Sequence, residues 1–237
     1  MSEIALIQCD FYSEVLNLST SMNVILPEHT QSQIGMKNKK FADKHPTLYL
    51  LHGLSDDHTI WTRRTSIERY VAELGLAVVM PQVHHSFYTD MVYGNRYWTF
   101  LTEELPKIAR SFFPLSDKRE NNFVAGLSMG GYGAFKWALR YPEKFAAAAS
   151  LSGAVDMATR LEQPIEEYDL FNLIYGDRDI AGTEDDLLWL LKQGNQTDQP
   201  KPKLYQTCGT DDFLYDATLA LHKYCMNFQF SLFSRKG

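Results

Sequence analysis

Few folds accommodate the segment from Phe123 to Phe135, in which Gly126-x-Ser128-x-Gly130 separates two runs of opposite character. Asn121 to Ala125 is a short apolar run that reads as a buried strand, and Tyr132 to Leu139 is a Gly/Ala-rich run that reads as a helix. A strand turning this sharply into a helix leaves no room for side chains at the two glycines, and the turn lifts the Ser128 hydroxyl above the sheet edge. The helix that begins just after the serine aims backbone N–H groups and the positive end of its dipole at any oxyanion formed there. Ser128 is therefore a candidate nucleophile. A serine in an ordinary glycine-rich loop would lack the flanking strand and helix.

A chain of 237 residues, 45% hydrophobic and 22% charged, suits one large α/β domain. A net charge of -6 without a Lys/Arg stripe argues against nucleic acid, and Lys37-Asn38-Lys39-Lys40 reads as a solvated loop. Cys9, Cys208 and Cys225 are odd in number and widely spaced, so neither a disulfide framework nor a cysteine-rich metal site is expected, and a reducing compartment is the simpler assumption. The N-terminus lacks a basic segment followed by a long apolar core, and no apolar run reaches bilayer length, which predicts a cytoplasmic protein without membrane contact.

Along the chain, Ile4 to Phe11 and Glu14 to Leu26 alternate apolar and polar residues and predict two antiparallel strands at a sheet edge. Gln31 to His45 reads as a loop, and Thr47 to Leu51 as a strand buried on both faces. That strand ends in His52-Gly53-Leu54-Ser55-Asp56-Asp57, whose glycine permits close backbone approach. The Leu54 amide, or failing that Gly53, is expected to be an oxyanion donor there. His52 reads as a loop histidine orienting the turn rather than as a base, because it precedes the serine.

Thr59 to Leu74 has helical spacing and stops at Gly75; Leu76 to Pro81 is the next buried strand. The following loop carries His84-His85, adjacent in sequence and without a third ligand at metal spacing, so no metal is assigned. Tyr97 to Phe113 predicts a long helix that must kink or restart at Pro106. Phe145 to Gly153 is read as a small-residue strand despite its alanines. Residues 156–199 are polar and irregular, with a helical stretch near Asp185 to Lys192, and suggest a cap or lateral segment. Pro202 to Gly209 predicts one more strand, and the acid of a Ser, Asp, His order belongs in the loop after it. Asp212 fits that place; the alternative is that Asp211-Asp212 cap the helix from Tyr215 onward.

The chain resembles the esterase D-like branch of the α/β-hydrolases, especially the small bacterial acetyl or tributyrin esterases. The resemblance rests on Leu50-Leu51-His52-Gly53-Leu54-Ser55, Trp61-x-Arg63-Arg64-Thr65, Val79-Met80-Pro81, Tyr88-Thr89-Asp90, Glu103-Glu104-Leu105-Pro106, Ala125 to Gly133 and Cys208 to Tyr215, in the family's order. It implies an α/β-hydrolase fold over residues 1–237, with a mostly parallel sheet and helices on both faces. It also implies a cofactor-free serine carboxylesterase acting on a small acyl ester, with an S-formylglutathione-type thioester hydrolase as the alternative, and relatives that often form oligomers. Ser128 would be the nucleophile, Asp212 the acid, and the Leu54 and Met129 amides the oxyanion hole. Trp61, Phe87 and Tyr88 would line a small substrate pocket or pack in the core. Family members continue into a last strand and a Gly-x-His-x-Trp-like segment bearing the catalytic histidine. Here Asn227 to Gly237 departs from that pattern, and His222, the histidine after Asp212, falls within the expected helix. The expectation is a C-terminally incomplete or frame-shifted copy lacking the last strand, with impaired activity or none.

Overall fold

The computed structural model describes residues 4–27, 44–162, 168–226 and 230–236. The described strands form one eight-stranded sheet in the order β1-β2-β4-β3-β5-β6-β7-β8. β1 (Ile4–Ser13) and β2 (Leu18–Pro27) form the expected antiparallel hairpin, and β2 runs antiparallel to β4 (Ala77–Pro81). From β4 across β3 (Thr47–Leu51), β5 (Asn122–Leu127), β6 (Ala147–Leu151), β7 (Lys203–Cys208) and β8 (Leu232–Lys236) every pairing is parallel. The reading of a small-residue strand within Phe145 to Gly153 holds, with the strand itself at Ala147–Leu151. Between β5 and β7 a small side chain lets helices approach from both sides, and that placement outweighs alanine's preference for helix.

Alternation along the inner strands divides the apolar residues between two cores. Tyr49, Leu51, Ala77 and Val79 join the larger one, while Leu50, Val78 and Met80 turn to the other face and pack with Ile25 and Val71. Val71 lies on α2 (Ile67–Ala72), which follows α1 (Ile60–Arg64). The single helix expected over Thr59 to Leu74 is thus two. Thr65 is extended between them; its hydroxyl donates to the Trp61 carbonyl at 2.5 Å and accepts the Ile67 amide at 3.2 Å, ending one helix and starting the next.

The stretch from Tyr97 restarts at the proline, as expected. α3 (Tyr97–Thr99) passes through a π-helical turn (Phe100–Glu104) into α4 (Leu105–Phe112), and this widened turn directly precedes Pro106, where the regular hydrogen-bond ladder must be interrupted. After α5 (Met129–Arg140), the segment read as irregular contains α6 (Met157–Leu161), α7 (Tyr168–Tyr175) and α8 (Leu187–Asn195), and α9 (Tyr215–Cys225) follows β7. Most of the loop expected before His45 lies outside the described residues.

The expected loss of the last strand is corrected: Leu232 to Lys236 pairs in parallel with β7, Leu204 opposite Leu232 and Tyr205 opposite Phe233. β8 forms the sheet edge, with Tyr205 and Phe233 exposed on its outer face. Among the described residues no helix is long and apolar enough to cross a membrane.

The tightest packing lies where β5 meets α5. A Cβ on Gly126 would sit 2.2 Å from the Gly130 carbonyl oxygen, and one on Gly130 would sit 2.5 Å from that of Leu51. Gly126→Ala is expected to lower unfolding free energy by more than about 3 kcal/mol, because backbone rather than a flexible side chain must yield. Gly209→Ala, whose nearest neighbour is 3.9 Å away, is expected to cost less than about 1 kcal/mol. Denaturant unfolding of both variants checks the contrast.

Candidate active site

Ser128 closes β5 with φ 55° and ψ -115°, a conformation that L-residues avoid. Three backbone bonds hold it there: its amide donates to Leu151 O at 2.9 Å, and its carbonyl accepts Ala154 N–H at 3.2 Å and Tyr132 N–H at 3.1 Å. Ser128 itself is half-buried. Met129, the next residue, is buried as the first residue of α5, so its amide has no acceptor within the helix.

Among the described residues, five of the six non-glycine residues at positive φ follow the carboxyl ends of β4, β5 and β6: His84, Phe87, Tyr88, Ser128 and Ser152. Backbone strain is thus concentrated at one edge of the sheet, around the serine.

The loop after β3 sits directly on the elbow. A Cβ on Gly53 would lie 3.6 Å from Leu127 O, and the turn bond from Asp56 N–H to Gly53 O at 3.2 Å leaves the Leu54 amide unused by the turn. His52, 1% exposed, secures this loop with both ring nitrogens. Nδ1–H donates to Gly53 O at 2.8 Å, and Nε2 accepts Val83 N–H at 3.2 Å, which assigns the tautomer. Burial lowers its pKa to about 4. With no lone pair left for a serine proton, His52 is the orienting histidine and not the base.

Tyr88 also supports the loop, donating its hydroxyl to His52 O at 2.9 Å. It is wholly buried, its ring pressed on Gly133, so it does not line a pocket; the expectation that it might is corrected. Phe87 is likewise in the core, against Tyr132 and Phe171. Trp61 differs. It donates Nε1–H to Leu51 O at 3.2 Å and, with Gly53, Ile60, Arg64 and Leu127, lines a cavity of about 270 Å³ beside the elbow. A larger cavity of about 470 Å³ opens between α6 and α9, lined by Ala154, Met157, Phe213 and Leu214.

Asp212 occupies the loop after β7, at the same edge of the sheet. Its Oδ1 accepts the Leu214 amide at 2.9 Å and its carbonyl accepts Tyr215 N–H at 2.9 Å, so it starts α9 while remaining half-buried. Asp211 is exposed. His222 lies on α9, half-buried, with Nδ1 unpaired among the described residues. The His84 ring packs edge-on to Tyr97, and among the described residues no cluster of three or more His, Cys, Asp or Glu side chains is placed to hold a metal.

Lys136 went unassigned in the sequence. It projects from α5 with no exposed surface, donating to Tyr88 O at 3.0 Å and Thr89 Oγ1 at 3.0 Å. It pairs with Asp185 at 2.5 Å, and its ammonium lies 4.4 Å from the centre of the Trp98 ring. Burial lowers its pKa, and Asp185 opposes that shift. The available signal was a cation in the middle of an otherwise apolar helix, buried from Met129 to Leu139.

The depressed pKa of His52 ties stability to pH. Between about pH 6.5 and 4 the unfolded chain binds a proton that the folded one refuses, so stability falls as pH falls through that window and levels off below it. The loss is about 3 kcal/mol in all. His52→Gln is expected to be less stable at pH 7 and to lack that component of the acid slope, read as the difference between wild-type and variant unfolding at pH 7, 5.5 and 4.

Residues 13–229 match the family model described as "Putative esterase". An acetyl esterase from Caldicellulosiruptor saccharolyticus is 31% identical over 94% of this chain and 87% of its own length. Two solved structures from Staphylococcus aureus superpose closely. The fluorophosphonate-binding serine hydrolase FphF has a TM-score of 0.88 and 37% identity, covering 99% of this chain and 90% of its own. The S-formylglutathione hydrolase FrmB has a TM-score of 0.85 and 37% identity, covering 100% and 91%. With a serine at a strand-to-helix elbow and a mostly parallel sheet behind it, the chain belongs to the esterase family of α/β-hydrolase-fold serine hydrolases, and is a carboxylic ester hydrolase.

Proposed function

We propose that Ser128 is the nucleophile of a serine esterase for short acyl esters, with the Leu54 and Met129 amides as its oxyanion hole and Asp212 as the acid. The observation carrying this is the Ser128 backbone, held in a strained conformation with the His52–Asp57 loop packed against it and a free helix start behind it. Ser128 Oγ attacks the ester carbonyl, and the negative charge that develops on its oxygen is met by two fixed amides in a site that needs no reorganisation. The alcohol leaves, an acyl-serine remains, and water completes the cycle. The base must come from outside the oxyanion loop, since both His52 nitrogens are committed.

The cavity beside Trp61 is small, which suits an acetyl-sized acyl group, and the acetyl esterase likeness points the same way. The wider cavity near Phe213 would take the leaving group. The likeness to an S-formylglutathione hydrolase supports a second reading, a thioester with a bulkier thiol in that wider cavity. On either reading the substrate is a small molecule and 156–199 is a lateral segment of a single domain. Three unpaired cysteines fit a cytoplasmic enzyme.

In rapid mixing with p-nitrophenyl acetate, the protein is expected to release a burst of about one equivalent of p-nitrophenol per chain, and Ser128→Ala none. Equal release from both would refute the assignment of the nucleophile. His222→Ala is expected to leave steady-state turnover unchanged; turnover lost with His222 would instead identify the base. Trp61→Ala should raise the ratio of kcat/KM for hexanoate over acetate esters about 10-fold, the scale of discrimination a filled apolar pocket gives.

A further inference from the structure

Lys136 takes no part in acyl transfer, yet it is fully buried and fully engaged. An ammonium has three protons to donate. Acceptors from two separate loops take them: Tyr88 O at 3.0 Å, Thr89 Oγ1 at 3.0 Å and Asp185 Oδ1 at 2.5 Å.

The turn that it grips is strained. Phe87 and Tyr88 stand in succession at φ 48° and 52°, and such residues persist only where their surroundings hold them. The Tyr88 amide donates to Ser86 Oγ at 3.1 Å and the Thr89 hydroxyl to Phe87 O at 2.9 Å, while Lys136 closes the turn from the helix side. The Tyr88 ring fills the slot left by Gly133, where a Cβ would come within 2.5 Å of it. Turn and slot together fix the hydroxyl at the far end of the ring, which donates to His52 O at 2.9 Å.

That bond reaches the loop after β3 through peptide geometry. A planar trans peptide points its N–H opposite to its C=O. Holding His52 O therefore aims the Gly53 amide, and the bonds to Gly53 O from His52 Nδ1–H at 2.8 Å and Asp56 N–H at 3.2 Å aim the Leu54 amide in the same way. These are the two candidate oxyanion donors of the loop, and both peptide planes are set from behind.

Asp185 lies in the turn before α8, and the Tyr132 hydroxyl donates to its carbonyl at 2.7 Å. Without its carboxylate the Lys136 charge would lie uncompensated in the core, so the grip on Tyr88 depends on this turn staying docked on α5.

We propose that Lys136 and Tyr88 are positioning residues for the oxyanion hole, and that Asp185 makes their hold depend on the segment between β6 and β7. The inference rests on the acyl-serine reading with the loop after β3 as an oxyanion donor.

The test compares wild type, Tyr88→Phe and the double variant Lys136→Met with Asp185→Leu in p-nitrophenyl acetate hydrolysis and in inhibition by phenylboronic acid, whose serine adduct is tetrahedral and negatively charged. Tyr88→Phe keeps the ring in its slot, and the double variant removes both buried charges together, a replacement that leaves stability nearly unchanged. Both variants are expected to keep the burst per chain and a KM within about twofold, while kcat falls about 10-fold and the boronic acid Ki rises by the same factor, as for a contact strengthened only in the transition state. If the double variant does not fold, Asp185→Asn, which keeps an acceptor but withdraws the counter-charge, takes its place with the same pattern expected. A Ser128→Ala variant that bursts like wild type would remove the acyl-serine reading and the proposal with it. With Ser128→Ala silent, wild-type kcat and Ki in these variants, or a smaller burst with unchanged kcat per active site, would overturn the positioning role alone.

Discussion

The close approach of Gly126 to Gly130 is the contact on which the rest of the molecule depends. Because no Cβ intervenes, the backbone of β5 reverses into α5 within a few residues, and α5 lies low enough across the sheet for Gly130 to reach the Leu51 and His52 carbonyls. Gly131 meets Ser150 and Gly153 in the same way. Strand β3, strand β6 and the elbow are thereby locked together at one edge. The cost of the strained serine is met by this packing together with its own three backbone bonds.

From that edge, support for the loop after β3 passes outward through polar groups in a dry interior. Gly53 is held by His52, His52 by the Val83 amide and the Tyr88 hydroxyl, and Tyr88 by Lys136 from the elbow helix. Burial by itself would raise the Asp185 pKa, but Lys136 beside it holds the carboxyl below its usual range. Each group in this series is satisfied, which is the condition for burying charge and imidazole in a core. The pair also ties the segment between β6 and β7 to α5, and the Tyr132 hydroxyl adds a bond to Asp185 O at 2.7 Å.

Much of this was legible in the chain. The hairpin, the buried strands, the elbow, Gly75 at φ 62° and the helix after Asp212 all follow from local pattern and turn chemistry. Misreadings arose where one side chain or a distant partner decided the outcome. The Thr65 hydroxyl splits a helix that periodicity alone would continue. Tyr88 resembles a pocket aromatic until Gly133 is seen to leave a slot for its ring. The tail was read from its departure from a motif, whereas β7 offers an edge that Leu232 to Lys236 completes.

The sequence by itself determined the position of Ser128 and the kind of turn that presents it, because Gly-x-Ser-x-Gly between a strand and a helix leaves the backbone few alternatives. It determined the parallel sheet as well, since runs buried on both faces cannot face water. Tertiary structure alone decided the roles of the polar residues around it. Whether a histidine is a base or a brace depends on which atoms face its two nitrogens, and for His52 those atoms belong to Gly53, its neighbour, and Val83, 31 residues further on. Whether a lysine is solvated or buried depends on a carboxylate nearly fifty positions away in the chain. Such partners are brought together by packing, which no local pattern encodes.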